Sequence, residues 1–199
     1  METINNEIYS EEKEIIEQAK NGDSEALKIL VEKYQNTIYN FAFKVCRDPE
    51  KAFNVTQETF ISLIKNLSKY SGQAKLSTWL YTIVSNHCLM QARKENKEVF
   101  VNENEDSFEN DSFLNIHVRF NPEKSLENEE LKKILDETIN KLPEDYKLTF
   151  LLRDVEGLSV EETANILNIS ESAVKTRTHR ARSFLKKELA KKLKDAFLI

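Results

Sequence analysis

The chain holds almost nothing with which to make tight turns: three glycines (Gly22, Gly72, Gly157) and three prolines (Pro49, Pro122, Pro143) in 199 residues. An all-β sandwich or barrel needs a turn signal every ~8–12 residues, so that class does not fit. None of the glycines has a second one nearby, as the phosphate-cradling turn of a doubly wound α/β enzyme would require. Long unpunctuated stretches with apolar residues three and four apart favour helices. An all-α fold is expected.

In the first part, an acidic helix is expected over residues 10–20, stopped by Asn21-Gly22-Asp23. Ala26, Leu27, Leu30, Val31, Tyr34, Ile38, Phe41 and Val45 then fall on one stripe of a long helix. Asp48 followed by Pro49 is an N-cap with a first-turn proline, opening a helix with apolar positions Phe60, Leu63, Ile64 and Leu67. Residues 68–75 read as a loop, and Ser77 as the cap of a helix running through Trp79, Leu80, Ile83 and Val84 to about Lys94. Together these elements form a helical N-terminal domain, residues 1–96.

Residues 97–127 differ in kind. They are rich in Asn, Asp, Glu and Ser, end with Asn121-Pro122 near the boundary, and lack a sustained helical period. An acidic, mostly extended linker is expected there. A second helical domain, residues 128–199, opens with Leu131, Ile134, Leu135, Ile139 and Leu142 on one face. Pro143 ends that helix and sets up another over residues 144–154, with Gly157 as a stop. Ser159 with Glu162 makes a capping box for a third helix ending at Leu167, and Ser170 caps a fourth.

The net charge of −5 hides three unlike parts. Residues 1–96 carry 12 Lys/Arg against 13 Asp/Glu, residues 97–127 carry 3 against 8, and residues 128–199 carry 14 against 13. Within the last part, residues 175–194 hold nine basic side chains and one acid, Glu188. A basic helix is therefore set apart from an acidic connector.

The last two helices meet at Asn168-Ile169-Ser170, with Ala164 where they would cross and Val174 closing the core. A small residue, a turn residue tolerant of left-handed geometry and a branched apolar residue at these spacings suit a helix-turn-helix. At about 100° per residue, Val174, Ala181 and Leu185 share one side of the final helix. Ser172, Lys175, Thr176, His179 and Arg180 share the other, with Arg177, Arg182, Lys186 and Lys187 beside them. Short polar and basic groups on a helix in a major groove reach base edges, while flanking cations meet phosphates. DNA binding is the favoured reading. The alternative of a membrane-surface helix for the Lys-rich end fits less well, because its Leu stripe continues the core stripe.

These residues resemble a known family. Leu142-Pro143, Phe150-Leu151-Leu152-Arg153-Asp154, Glu156-Gly157-Leu158-Ser159, Glu161-Glu162-Thr163-Ala164 and Ser172-Ala173-Val174-Lys175-Thr176-Arg177 are similar to the promoter-reading C-terminal domain of bacterial sigma factors, specifically the extracytoplasmic-function group. Gly22-Asp23-Ser24-Glu25-Ala26, Tyr34, Gln57-Glu58-Thr59-Phe60 and Ser77-Thr78-Trp79-Leu80-Tyr81-Thr82-Ile83, with Asn86 and Arg93, are similar to that group's N-terminal domain. The chain departs from the family where acids commonly stand, at Phe53, Asn54 and Met90.

The resemblance implies a promoter-specificity subunit working on the RNA polymerase core. Gln57, Glu58 and Phe60 would dock on the clamp of the largest polymerase subunit. Lys75, Ser77, Thr78, Trp79, Asn86, Arg93 and Lys94 would recognise and open the minus-ten element, although Trp79 beside Leu80 and Ile83 also reads as a core residue. Ser172, Lys175, Thr176, Arg177, His179 and Arg180 would read the minus-35 element. The linker would occupy the RNA-exit path, and an anti-sigma partner is implied.

A stand-alone helix-turn-helix regulator is the main alternative; the helical N-terminal part argues against it. Enzyme chemistry finds no P-loop, HExxH or Cys/His metal cluster, so no catalysis, metal or cofactor is expected. Cys46 and Cys88 stand far apart in sequence and are read as reduced, packed thiols. With no apolar run approaching ~20 residues and a polar, acidic start, a cytoplasmic protein without membrane insertion is expected.

Overall fold

The computed structural model describes the backbone of residues 2–95 and 125–197, and the side chains of residues 11–91 and 133–192. Among these the regular structure is all helical. Four α-helices make the N-terminal module: α1 (Glu2–Lys20), α2 (Ser24–Cys46), α3 (Pro49–Asn66) and α4 (Leu76–Glu95), with a 3-10 turn at Leu67–Lys69. Four make the C-terminal module: α5 (Ser125–Asn140), α6 (Glu144–Phe150), α7 (Val160–Leu167) and α8 (Glu171–Phe197). Of the expected linker, residues 97–124 lie outside the described residues, and residues 125–127 already belong to α5.

Local chemistry sets the helix ends. The Asp23 carboxylate accepts from the amides of Glu25 (2.8 Å) and Ala26 (3.1 Å), and Asp48 accepts from those of Glu50 (2.8 Å) and Lys51 (3.0 Å). These satisfy amides that a helix start leaves unpaired. α4 begins one residue before the expected cap. Leu76 is buried in the core and the Trp79 amide donates to the Lys75 carbonyl, so Ser77 lies within the first turn rather than capping it. α1 is longer than expected because no Gly or Pro breaks it before Asn21.

Leu30, Ile38, Phe41, Leu63, Leu80 and Val84 are fully buried between α2, α3 and α4. Phe41 meets Tyr81 edge-on at 5.0 Å between ring centroids. Ile64, expected in this core, is 53% exposed instead. In the second module Leu148, Leu151, Leu152, Ile166, Val174, Ala181 and Leu185 are buried, so the predicted core stripe of α8 faces inward as read.

The modules do not stand apart. α4 packs on α7 and α6, and the end of α2 packs on α6, joining the two apolar cores. Among the described residues, polar contacts line the seam. Glu156 accepts from Lys44 Nζ (2.9 Å) through Oε1 and from the Tyr81 hydroxyl (2.6 Å) through Oε2. Arg47 pairs with Asp136 at 3.0 Å, and the buried Lys147 ammonium donates to the Val45 carbonyl at 3.4 Å.

Candidate nucleic-acid interface

The helix-turn-helix forms from local signals that agree. The Glu162 amide donates to Ser159 Oγ at 3.0 Å, and the Ser159 amide to Glu162 Oε2 at 2.7 Å, completing the capping box. Asn168 takes the left-handed conformation (φ 52°, ψ 50°) that ends α7. Ser170 Oγ accepts from the Ala173 amide at 3.1 Å and starts α8. Val174, fully buried, locks α8 beneath the turn.

This geometry presents Ser172, Lys175 and His179 at the exposed surface of the first half of α8, with Thr176 half-buried beside them. Lys175 makes an extended pair with Glu171 at 3.8 Å, on the same face. The remaining two expected readers turn toward α6. Arg177 pairs with Asp145 at 3.4 Å, and Arg180 Nη1 donates to the Tyr146 hydroxyl at 3.2 Å. Arg182, expected near phosphates, is forked onto Asp154 through contacts of 3.0 and 2.5 Å. That carboxylate raises the Arg182 pKa further above its already high ordinary value.

In the N-terminal module the expected minus-ten residues divide. Lys75 is exposed at the end of the loop that turns at Gly72 (φ 74°). Trp79 is half-buried and rests on Tyr70 with ring centroids 5.3 Å apart, and Lys20 Nζ caps the other ring at 5.6 Å. Ser77 is half-buried and Thr78 is buried, so the Thr78 side chain serves the core. Asn86 is exposed but faces the C-terminal module, lining a cleft of about 520 Å³ with Met90, Asn168, Ile169 and Arg177. Arg93 and Lys94 lie outside the residues whose side chains are described.

On α3, Gln57 and Glu58 are exposed as expected of docking residues, whereas Phe60 is only 8% exposed and packs in the core. A ring so placed supports the helix and offers no surface. The sequence reading missed its exposed neighbours. Phe53 (55%), Ile61 (42%) and Ile64 (53%) stand out of the same face as Gln57. Positions 53, 57, 61 and 64 fall within about 80° of one another on a helix, so the stripe was legible from spacing. Among the described residues no helix is long and apolar enough to cross a membrane, and no group of three or more His, Cys, Asp or Glu could hold a metal.

Comparison with known proteins agrees with this geometry. The family Sigma-70 region 2 matches residues 30–98, and Sigma-70, region 4 matches residues 132–185. The chain is 30% identical over 190 residues to the RNA polymerase sigma-H factor of Pseudomonas aeruginosa, covering 94% of this chain and 97% of that one. It is 31% identical over 179 residues to the ECF RNA polymerase sigma factor SigW of Bacillus subtilis, covering 89% and 96%. Among solved structures, CnrH in complex with the cytosolic domain of CnrY superposes with a TM-score of 0.63 at 21% identity, over 88% of this chain and 95% of that one. The sigma factor RpoE of Bartonella quintana, in complex with the anti-sigma factor NepR, superposes with a TM-score of 0.59 at 21% identity, over 82% and 96%.

Proposed function

The chain belongs to the extracytoplasmic-function group of the sigma-70 family of RNA polymerase sigma factors, and we propose that it directs the polymerase core to promoters by reading two DNA elements with its two modules. The carrying observation is the pairing, in one chain and in family order, of a complete helix-turn-helix with a helical module that exposes Phe53, Ile61 and Ile64 on one face of α3. Ser172, Lys175, Thr176 and His179 supply major-groove contacts at minus-35, where their short polar and basic groups match base edges. Arg177 and Arg180, held by Asp145 and Tyr146, are pre-positioned at the edge of that face. Lys75, Ser77, Trp79 and Asn86 supply the minus-ten contacts, and the resemblance adds Arg93 and Lys94 to them.

Gln57 and Glu58 dock on the polymerase clamp together with Phe53, Ile61 and Ile64. The resemblance implies acids at positions 53 and 54, where this chain has Phe53 and Asn54, so its contact gains apolar area in place of charge. The Phe60 ring holds α3 in place from behind. Chemistry belongs to the polymerase, and this chain acts as a non-enzymatic cytoplasmic subunit held in check by an anti-sigma partner, as RpoE of Bartonella quintana is pictured with the anti-sigma factor NepR.

Promoter geometry demands a rearrangement. Elements named for minus-ten and minus-35 lie about 25 base pairs apart, or about 85 Å at ~3.4 Å per pair. In the structure α4 and α7 touch, and Asn86 shares a cleft with the helix-turn-helix turn. The closed form therefore cannot occupy both elements at once, and core polymerase must separate the modules. Run-off transcription tests this reading: purified chain added to core polymerase gives initiation at selected promoters. Tight sequence-specific DNA binding by the chain alone, without stimulation of core, supports the stand-alone regulator instead.

A further inference from the structure

Four consecutive residues, the last three of α2 and its C-cap Arg47, carry an arrangement that promoter reading does not use. Lys44 grips Glu156 at 2.9 Å, the Val45 carbonyl accepts from Lys147 at 3.4 Å, and Arg47 pairs with Asp136 at 3.0 Å. Three of the four thus hold the C-terminal module. The fourth, Cys46, places its sulfur 3.8 Å from that of Cys88 on α4. The sequence reading, which found the two cysteines far apart, gave no sign of this proximity. Both are free thiols, Cys46 half-buried and Cys88 buried.

We propose that Cys46 and Cys88 form a peroxide-oxidisable dithiol whose conversion to a disulfide loosens the closed arrangement of the two modules. The sulfurs need only approach from 3.8 Å to a bond of about 2.0 Å. The chain supplies an attacking thiol and a resolving one. A hydrogen bond from Cys88 favours the Cys46 thiolate, Lys51 and Lys147 add to it, and burial and Glu144 oppose it, leaving the Cys46 pKa below its ordinary value. Its hydrogen bond to Cys46 and its burial push Cys88 up, keeping the resolving thiol protonated. Of the two, Cys46 is the one a small oxidant reaches.

The chemistry balances with hydrogen peroxide as oxidant. The Cys46 thiolate attacks one peroxide oxygen, the O–O bond breaks, and the departing hydroxide takes a proton to become water. Cys46 is then a sulfenic acid. The Cys88 sulfur attacks the Cys46 sulfur, the S–S bond forms, the S–O bond breaks, and the leaving hydroxide departs as water with the Cys88 proton. Two thiols lose two electrons and peroxide becomes two waters. Drawing Cys46 toward α4 pulls on its immediate neighbours, and these are the residues that hold Glu156, Lys147 and Asp136.

The test uses the full chain, reduced and then treated with hydrogen peroxide, and reads thiol alkylation and small-angle scattering together. Expected is loss of both alkylatable thiols, their return after dithiothreitol, and a larger radius of gyration in the oxidised form only. Cys88→Ser should stop at a sulfenic acid trapped by dimedone, with no disulfide and an unchanged radius. Cys46→Ser should leave Cys88 reduced at the same peroxide dose. Retention of both thiols in the wild-type chain, or a disulfide that leaves the radius unchanged, overturns the proposal. Neither readout involves polymerase or DNA, so the result stands apart from that of the transcription test.

Discussion

The Tyr81 hydroxyl donates a 2.6 Å hydrogen bond to Oε2 of Glu156, across the seam between the two modules, while Lys44 holds the other carboxylate oxygen at 2.9 Å. One side chain from the helix-turn-helix module is thereby held by two from the other. Lys44 is about one-third exposed, so solvent screens its share, and the half-buried phenol–carboxylate bond carries more. Hydrogen bonds to a charged group contribute about 1.5–3 kcal/mol each. Glu156→Ala should lower the stability of the closed form by about 2 kcal/mol and enlarge the radius of gyration. An unchanged radius and denaturation midpoint would remove Glu156 from the seam.

The same bond predicts a dependence on alkaline pH. Burial, then the hydrogen bond and charge of Glu156, raise the Tyr81 pKa well above the ordinary tyrosine value. An unfolded chain ionises this phenol near pH 10 while the folded one keeps its proton. The folded form then binds more protons, so stability falls as pH rises from about 10. Denaturant melts at pH 9 and pH 11 should show this loss, and Tyr81→Phe should make it smaller. Equal losses in both proteins would mean that Tyr81 ionises normally.

Base reading and phosphate contact should separate on α8. Lys175→Ala should cost about 1–3 kcal/mol at a matched minus-35 element and relax preference at particular positions. Lys191 is exposed farther along α8, in the basic stretch of residues 175–194, and Lys191→Ala should weaken binding evenly across sequences. Binding of holoenzyme to a set of single-base promoter variants distinguishes them, and identical profiles would mean that α8 does not read bases.

On α3 the exposed and buried rings should behave oppositely. Phe53→Glu should weaken association with core polymerase while leaving the thermal midpoint nearly unchanged, because the ring is more than half exposed. Phe60→Ala should destabilise the module by about 3–5 kcal/mol through the cavity it leaves. Titration of core with labelled variants, alongside melts, checks both. A melt defect in Phe53→Glu with normal core affinity would place the docking face elsewhere.

At the turn, Asn168 holds φ at 52°. Asn168→Val forces a β-branched residue into the left-handed region at a cost of about 1–2 kcal/mol, and Asn168→Gly should be nearly neutral. Melts of the two variants should differ by that amount, and equal midpoints would mean that the turn relaxes out of this conformation.

Much of this was legible because short-range rules were at work. The caps at Asp48 and Ser159, the left-handed Asn168 and the α8 core stripe of Val174, Ala181 and Leu185 each depend on neighbours within a few residues, and each is present as read. Long-range facts were not legible. Nothing in the local pattern says that Glu156 meets Tyr81, or that Cys46 lies beside Cys88, since those pairs are made by packing α2, α4 and the π-helical turn Leu151–Val155 that follows α6. Phe60, read both as an apolar position and as a docking residue, is buried, while Ile64, read as an apolar position, is exposed: both sit near the border of the α3 stripe, and only the neighbouring helices decide which side is covered.

On the proposed function one chain reads two distant promoter elements, and only in the hands of the polymerase. Footprinting on a promoter located by transcript-start mapping tests it most directly. With core polymerase present, the minus-35 and minus-ten elements should be protected together; the chain alone should protect neither strongly. Protection of a single operator-like site by the chain alone, unchanged by core, would make it a stand-alone regulator instead.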